Sequence, residues 1–164
     1  MNLFVMLGYI VVINWFCLTV VWLVSVKIKD ASIIDIYWGI GFIVMAWACL
    51  LINLVHNPTS VSISQWLINF MVTIWGFRLS LHLAIRNLGK GEDYRYVAMR
   101  KRSVLDFRIF SYFRIFMFQG LLQIIVITPI LAMHYYPQEL GFGFFNYLGL
   151  ALWGIGFAYE ILAD

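Results

Sequence analysis

The chain is short of charge. Only 12% of its 164 residues are Asp, Glu, Lys or Arg, against about 25% in soluble domains. Hydrophobic residues make up 63% and the mean hydropathy is +0.90. A soluble domain of this size could not cover its core with so few polar groups. Cysteine is scarce as well. Cys17 and Cys49 both lie within apolar runs without metal-type or redox-type neighbours, which leaves them as small packing residues. Of three prolines, Pro129 alone falls inside a hydrophobic run, where it should kink a helix rather than end it. No internal repeat and no low-complexity segment is present, and no metal-ligand spacing appears.

What is present is a series of long hydrophobic runs. A helix needs about 20 apolar residues to cross the hydrocarbon of a bilayer, and five runs meet that length: residues 3–26, 33–55, 63–85, 109–133 and 142–163. The expected fold is an all-α polytopic membrane helical bundle, with residues 1–164 forming a single transmembrane domain. Residues 1–26 do not read as a cleavable signal, because no basic segment precedes the run and no small-x-small site follows it. Ser32-Ile-Ile-Asp35, Ser62-Ile-Ser-Gln65 and Ser103-Val-Leu-Asp106 fit a capping pattern near span entrances. Asn57-Pro58 reads as a turn.

Charge asymmetry sets the expected orientation. Lys27 and Lys29 follow the first span. Arg86, Lys90, Arg95, Arg100, Lys101, Arg102 and Arg108 follow the third, while the loops at 56–62 and 134–141 have neither Lys nor Arg. Both basic loops are cytoplasmic only if the N-terminus is outside and the C-terminus inside. The expected location is a multi-pass protein of a bacterial inner membrane or its equivalent. Nucleic acid is not an expected partner, since the basic patch lies against the bilayer.

The third span carries Arg78 and His82 within its apolar run, with Arg86 at its end. Residues four apart share a helix face, so all three lie on one stripe with Trp75 and Leu79. Arg78 sits roughly 12 Å inside the span's end, and a charge at depth costs at least about 2.5–3.5 kcal/mol on insertion scales. Asp35 and Glu160, from the second and fifth spans, could neutralise this face; an anionic ligand is the alternative. Blander readings stand beside these. Asp35 could simply cap its helix with Ser32, Arg86 could snorkel to headgroups, and Glu160 could be an interfacial charge. Arg100, Lys101 and Arg102 read as a solvated or headgroup-facing basic patch, and Arg108, Phe110, Phe113 and Arg114 as an amphipathic stretch at the interface.

The loop from Asn87 to Tyr96 is the other unusual segment. Gly89 and Gly91 flank Lys90 and let backbone N–H groups approach an anion. Tyr94 and Tyr96 alternate with Arg95, a combination suited to stacking on a planar group and gripping phosphate. Glu92 and Asp93 could orient the neighbouring cations.

Asp35-Ile-Tyr-Trp-Gly39, Trp75-Gly-Phe-Arg-Leu79, His82-Leu83, Arg86-Asn87-x-Gly-Lys-Gly-Glu-Asp-Tyr-Arg-Tyr96, Met99-Arg100, Gln119-Gly120 and Glu160-x-x-x-Asp164 together resemble the DUF1295 family, of the steroid 5-alpha-reductase superfamily. The resemblance implies a membrane oxidoreductase that uses NADPH to reduce a carbon–carbon double bond of a lipid-like substrate: a steroid, an isoprenoid or an acyl chain. It implies a cavity lined by Asp35, Arg78, His82 and Arg86, with Arg78, His82 and Asp35 as the catalytic set. Cofactor contacts are implied at Arg86, Gly89, Lys90, Gly91, Tyr94, Arg95, Tyr96, Glu160 and Asp164. Similar proteins continue beyond the position of Asp164 through further helices bearing an Arg-His-Pro-x-Tyr type motif. The chain is therefore expected to correspond to the front portion of such an enzyme, with a complementary C-terminal fragment or a second copy as partner. The other expectation is a catalytically silent membrane subunit whose cations hold a lipid headgroup. Transport is disfavoured, because no inverted repeat or pair of broken helices is found.

Overall fold

The computed structural model describes residues 2–56, 61–87, 89–104, 106–136 and 142–163. All regular structure among them is helical: α1 (Leu3–Ile28), α2 (Ile33–His56), α3 (Ile63–Asn87), α4 (Tyr94–Arg102), α5 (Phe107–Ser111), a π-helical turn (Tyr112–Met117), α6 (Phe118–Tyr135) and α7 (Phe144–Ala163). α5, the π turn and α6 form one continuous rod. With that rod counted once, five helices are long and apolar enough to span a membrane. Asn57-Pro58 and Asp164 lie outside the described residues.

The capping expectations divide. Ser62 and Gln65 form the reciprocal box: Ser62 N–H donates to Gln65 Oε1 at 3.1 Å and Gln65 N–H to Ser62 Oγ at 3.3 Å. Asp35 does not cap with Ser32. Ser32 donates its hydroxyl to Asp30, and the Asp35 carboxylate is taken elsewhere. Asp106 is itself the N-cap of α5, accepting from Arg108 N–H at 2.9 Å, while Ser103 ends α4.

Pro129 sits within α6 without ending it. Proline removes the donor for the carbonyl four residues back, that of Ile125, and the Thr128 hydroxyl donates to this oxygen at 2.7 Å. The larger irregularity lies earlier. The Arg108 carbonyl receives Trp22 Nε1 at 3.2 Å, Ser111 Oγ at 3.0 Å and the Tyr112 N–H. An indole and a hydroxyl crowd one rung of the ladder, a recognised way to disturb helical register, and the π turn follows at once. The 108–114 stretch is thus the start of the fourth membrane-length rod, with Ser111 buried in it.

Two apolar clusters hold the bundle. One joins Met6, Ile10, Phe42, Met45, Cys49, Val72, Ile127 and Leu131 from α1, α2, α3 and α6. The other joins Leu18, Ile34, Tyr37, Tyr96, Ile115 and Phe116, at the end of the bundle that carries the Lys and Arg residues. α2 and α3 make the closest approach: a Cβ on Gly39 would stand 2.0 Å from the Gly76 carbonyl oxygen, and one on Gly76 2.6 Å from that of Gly39. α7 differs from the other spans, since none of its described residues is buried.

Candidate functional site

Asp35 enters the site from the first turn of α2, and Tyr96 and Arg95 from the first turn of α4. The Tyr96 hydroxyl donates to Asp35 Oδ1 at 2.8 Å and accepts from Gln119 Nε2 at 3.2 Å. Gln119 Oε1 in turn accepts from Trp38 Nε1. Arg95 donates to Asp35 Oδ2 at 2.8 Å. Four residues from three elements thus form one polar chain, Asp35–Tyr96–Gln119–Trp38, with Arg95 at its outer edge. The chain borders a cavity of about 460 Å³ whose other walls include Met99, Arg114, Ile115, Phe118 and Leu122. Apart from Arg114 the walls away from the polar chain are apolar, the pattern of small-molecule sites.

The electrostatics keep the phenol protonated. Burial, and then the adjacent Asp35 carboxylate, push the Tyr96 hydroxyl above its ordinary range. Arg95 is held charged: Asp93 accepts its Nε–H at 3.0 Å, and Asp35 adds a second negative charge. Asp93 is correspondingly held below the usual carboxylate range by its hydrogen bonds from Arg95, both side-chain and backbone. As N-cap of α4 its side chain also accepts from the Arg95 N–H at 2.9 Å.

Glu92 fastens this assembly to the rest of the basic end. It accepts from the Ala31 N–H at 2.9 Å and from Arg100 in a fork of 2.7 and 3.0 Å. Arg100 also lies 3.9 Å over the Phe107 ring and donates to the Lys29 carbonyl. The segment read as one basic loop therefore contains a short helix clamped onto the α1–α2 turn. Gly89 and Gly91 take φ values of +82° and +78°, with no atom within 4 Å of a Cβ at either. These glycines are required by backbone conformation, and space around them is open. Arg86, Lys90 and Tyr94 are exposed beside them, Tyr94 by 80%.

Arg78 belongs to a second cluster. Its guanidinium lies 2.8 Å from Glu160 Oε1 and donates to the Glu160 carbonyl at 2.7 Å, and it stands 5.7 Å over the Phe157 ring. Trp75 Nε1 donates to Glu160 Oε2 at 3.1 Å. Of the two carboxylates expected to meet the α3 cations, Glu160 does so and Asp35 does not. His82 is half-buried one turn further along α3, and Arg86 is exposed at its end. The two clusters lie on either side of an aromatic bridge in which Phe42 packs against both Trp38 and Trp75, each at 5.8 Å between centroids.

The expected catalytic set is therefore divided between two places, Asp35 in one and Arg78 in the other. Tyr96, expected as a stacking surface, is only 4% exposed and faces Asp35. Sequence reasoning did not single out Trp38 and Gln119 as site residues. Nothing in the linear chain couples positions 38, 96 and 119. The one usable signal was a polar glutamine in an apolar span, which needs a partner. A third polar group was missed entirely. His134, read as a loop residue, ends α6 in a buried position with Nε2 3.3 Å from Asn69 Oδ1. Nearby, Gln65 Nε2 donates to the Met133 carbonyl at 2.9 Å. Among the described residues no group of three His, Cys, Asp or Glu is placed to hold a metal ion.

Comparison with known proteins adds two findings. The family described as "Protein of unknown function (DUF1295)" matches residues 21–164. An uncharacterized protein of Schizosaccharomyces pombe, C594.04c, is 30% identical over 151 residues, a match covering 88% of this chain and 42% of that relative. The chain thus spans less than half the length of this curated relative. No solved structure matches it.

Proposed function

This chain belongs to the DUF1295 family, and from that premise we propose that it forms the membrane part of an oxidoreductase acting on a lipid-like substrate. In this reading NADPH is the reductant, a carbon–carbon double bond conjugated to a carbonyl is reduced, and the basic end faces the cytoplasm. The superfamily kinship with steroid 5-alpha-reductases is part of the same proposal. So is a partner, either a complementary C-terminal fragment or a second copy.

The observation that supports it is the Asp35–Tyr96–Gln119 hydrogen-bonded chain on the wall of the half-apolar cavity. Saturating an enone requires a proton donor near the developing negative charge. The Tyr96 proton is donated to Asp35 Oδ1 while Gln119 donates to the same hydroxyl oxygen, and a substrate carbonyl oxygen entering beside Asp35 would take over as acceptor of that proton. Ile115, Phe118 and Leu122 offer an apolar wall for a substrate arriving from lipid.

The residues fit the phosphate-bearing part of a dinucleotide. Gly89 and Gly91 present their backbone in open space, and Arg86 and Lys90 stand exposed beside them. These four would hold phosphate, and exposed Tyr94 would stack on a planar ring. When bound, the cofactor would supply the hydride. Arg78, His82 and Glu160 act in this proposal as a second polar wall on the far side of the Trp38–Phe42–Trp75 bridge.

The test is Tyr96→Phe, which keeps the buried ring and removes the hydroxyl. NADPH oxidation driven by a lipid enone should fall by about 10²-fold or more, while the melting temperature in detergent changes little. A variant that turns over as fast as the parent would show that Tyr96 only anchors α4, and would overturn this assignment.

A further inference from the structure

We propose that the cleft between α3 and α7 is a binding slot for a single long apolar chain with an uncharged hydroxyl head, such as a fatty or isoprenoid alcohol, taken up from the bilayer. The two helices are clasped at both ends and parted between. At one end Asn146 Nδ2 donates to Ser64 Oγ at 3.1 Å, across 82 positions of sequence. At the other Arg78 donates to the Glu160 carbonyl, again across 82 positions. Equal offsets mean that α3 and α7 run parallel and in register. The clasps are 14 residues apart on α3 (78 − 64), or about 21 Å of helix.

Between the clasps the helices do not close. A cavity of about 330 Å³ lies there, walled by Leu67 and Met71 of α3, Met133 of α6, and Gly149, Leu150 and Trp153 of α7. None of the described α7 residues is buried, so the slot's outer wall is a helix held by its ends. Apolar except at its Ser64–Asn146 end, the space suits a hydrocarbon chain.

Chemistry selects the head group. No charged side chain lines the slot, so an ionised head would enter without a counter-charge, at a high cost in hydrocarbon. The polar groups on its wall are Ser64 and Asn146. Ser64 accepts from Asn146 and retains its own hydroxyl proton to donate, and the Asn146 side-chain oxygen can accept. One alcohol oxygen satisfies both. This site is separate from the Asp35–Tyr96 cavity and requires no cofactor.

The test uses the chain reconstituted in nanodiscs with a long-chain fatty alcohol carrying a mid-chain diazirine, irradiated and mapped by peptide. Label should concentrate on the α3 and α7 peptides around Met71 and Gly149, and unlabelled fatty alcohol should compete. Gly149→Phe places a ring in open space, since nothing lies within 4 Å of a Cβ there, and should cut labelling at least tenfold. Leu150→Trp narrows the slot from the same wall and guards against a folding defect in the first variant. Gly156→Phe, equally open but outside the slot, should leave labelling unchanged. Label spread over every exposed span, or insensitive to both slot-filling variants, overturns the proposal. Competition by phospholipid or sterol in place of the alcohol overturns the choice of occupant. Tyr96→Phe should label normally, so this proposal and the reductase reading can fail separately.

Discussion

Arg78 brings a full charge into an apolar stretch of α3, and Glu160 answers it from α7 with side-chain exposures of 16% and 36%. Breaking a buried ion pair by removing one partner costs about 3–5 kcal/mol, and replacing both partners by apolar groups can be neutral. Glu160's partial exposure puts this pair at the low end. Glu160→Leu should therefore lower the melting temperature in detergent, and Arg78→Leu/Glu160→Leu should recover most of the loss. Simple addition of the two single effects would show that the pair is not coupled. The need for a partner to Arg78 was legible from depth and charge alone. Its identity was not, because Asp35 and Glu160 are both acids near span ends, and only packing decides which one arrives. Asp35 is engaged by Tyr96 and Arg95, residues whose helix, α4, was hidden in a run too basic to show an apolar period.

Helix extents follow from hydrophobic length, and the structure places all five spans within a few residues of the apolar runs. Helix irregularities do not follow so simply. Pro129 is visible in sequence, yet Thr128 repairs the ladder there. The π turn has no proline; it arises where Trp22, a residue of α1, reaches the Arg108 carbonyl. A contact across 86 positions has no local signature. The α2–α3 crossing is equally non-local, since Gly39 and Gly76 matter only as a pair. Gly39→Ala would set a methyl 2.0 Å from a backbone oxygen, and backbone cannot step aside as a flexible side chain can. We expect a loss of about 3 kcal/mol or more, read as a lower midpoint in detergent denaturation. Gly156→Ala, in open space, is the matched control, and equal midpoints for the two would refute the close crossing.

At the scale of the whole molecule, Lys and Arg gather at one end of the bundle. Among them Arg95 is tied to α2 through Asp35, and Arg100 to the α1–α2 turn through Glu92. By the positive-inside tendency, a reporter inserted between Tyr136 and Phe142 should read outside the cytoplasm, and one inserted between Arg102 and Asp106 should read inside. The opposite result would reverse the bundle and place the Asp35–Tyr96 cavity away from the cytoplasm, where the proposed reductant would be found. Composition by itself determined that this is an all-helical protein with five membrane-length spans, because hydrocarbon thickness is read directly as run length. Spacing by itself put Arg78, His82 and Arg86 on one stripe, since helical period is a local property. Only the tertiary structure decided that Asp35 and Arg78 belong to different clusters and that Tyr96, Gln119 and Trp38 join the first. Only there does α7 stand parallel to α3 with an apolar slot between them. Those outcomes depend on which helix faces meet, and side chains far apart in sequence settle that by packing against each other.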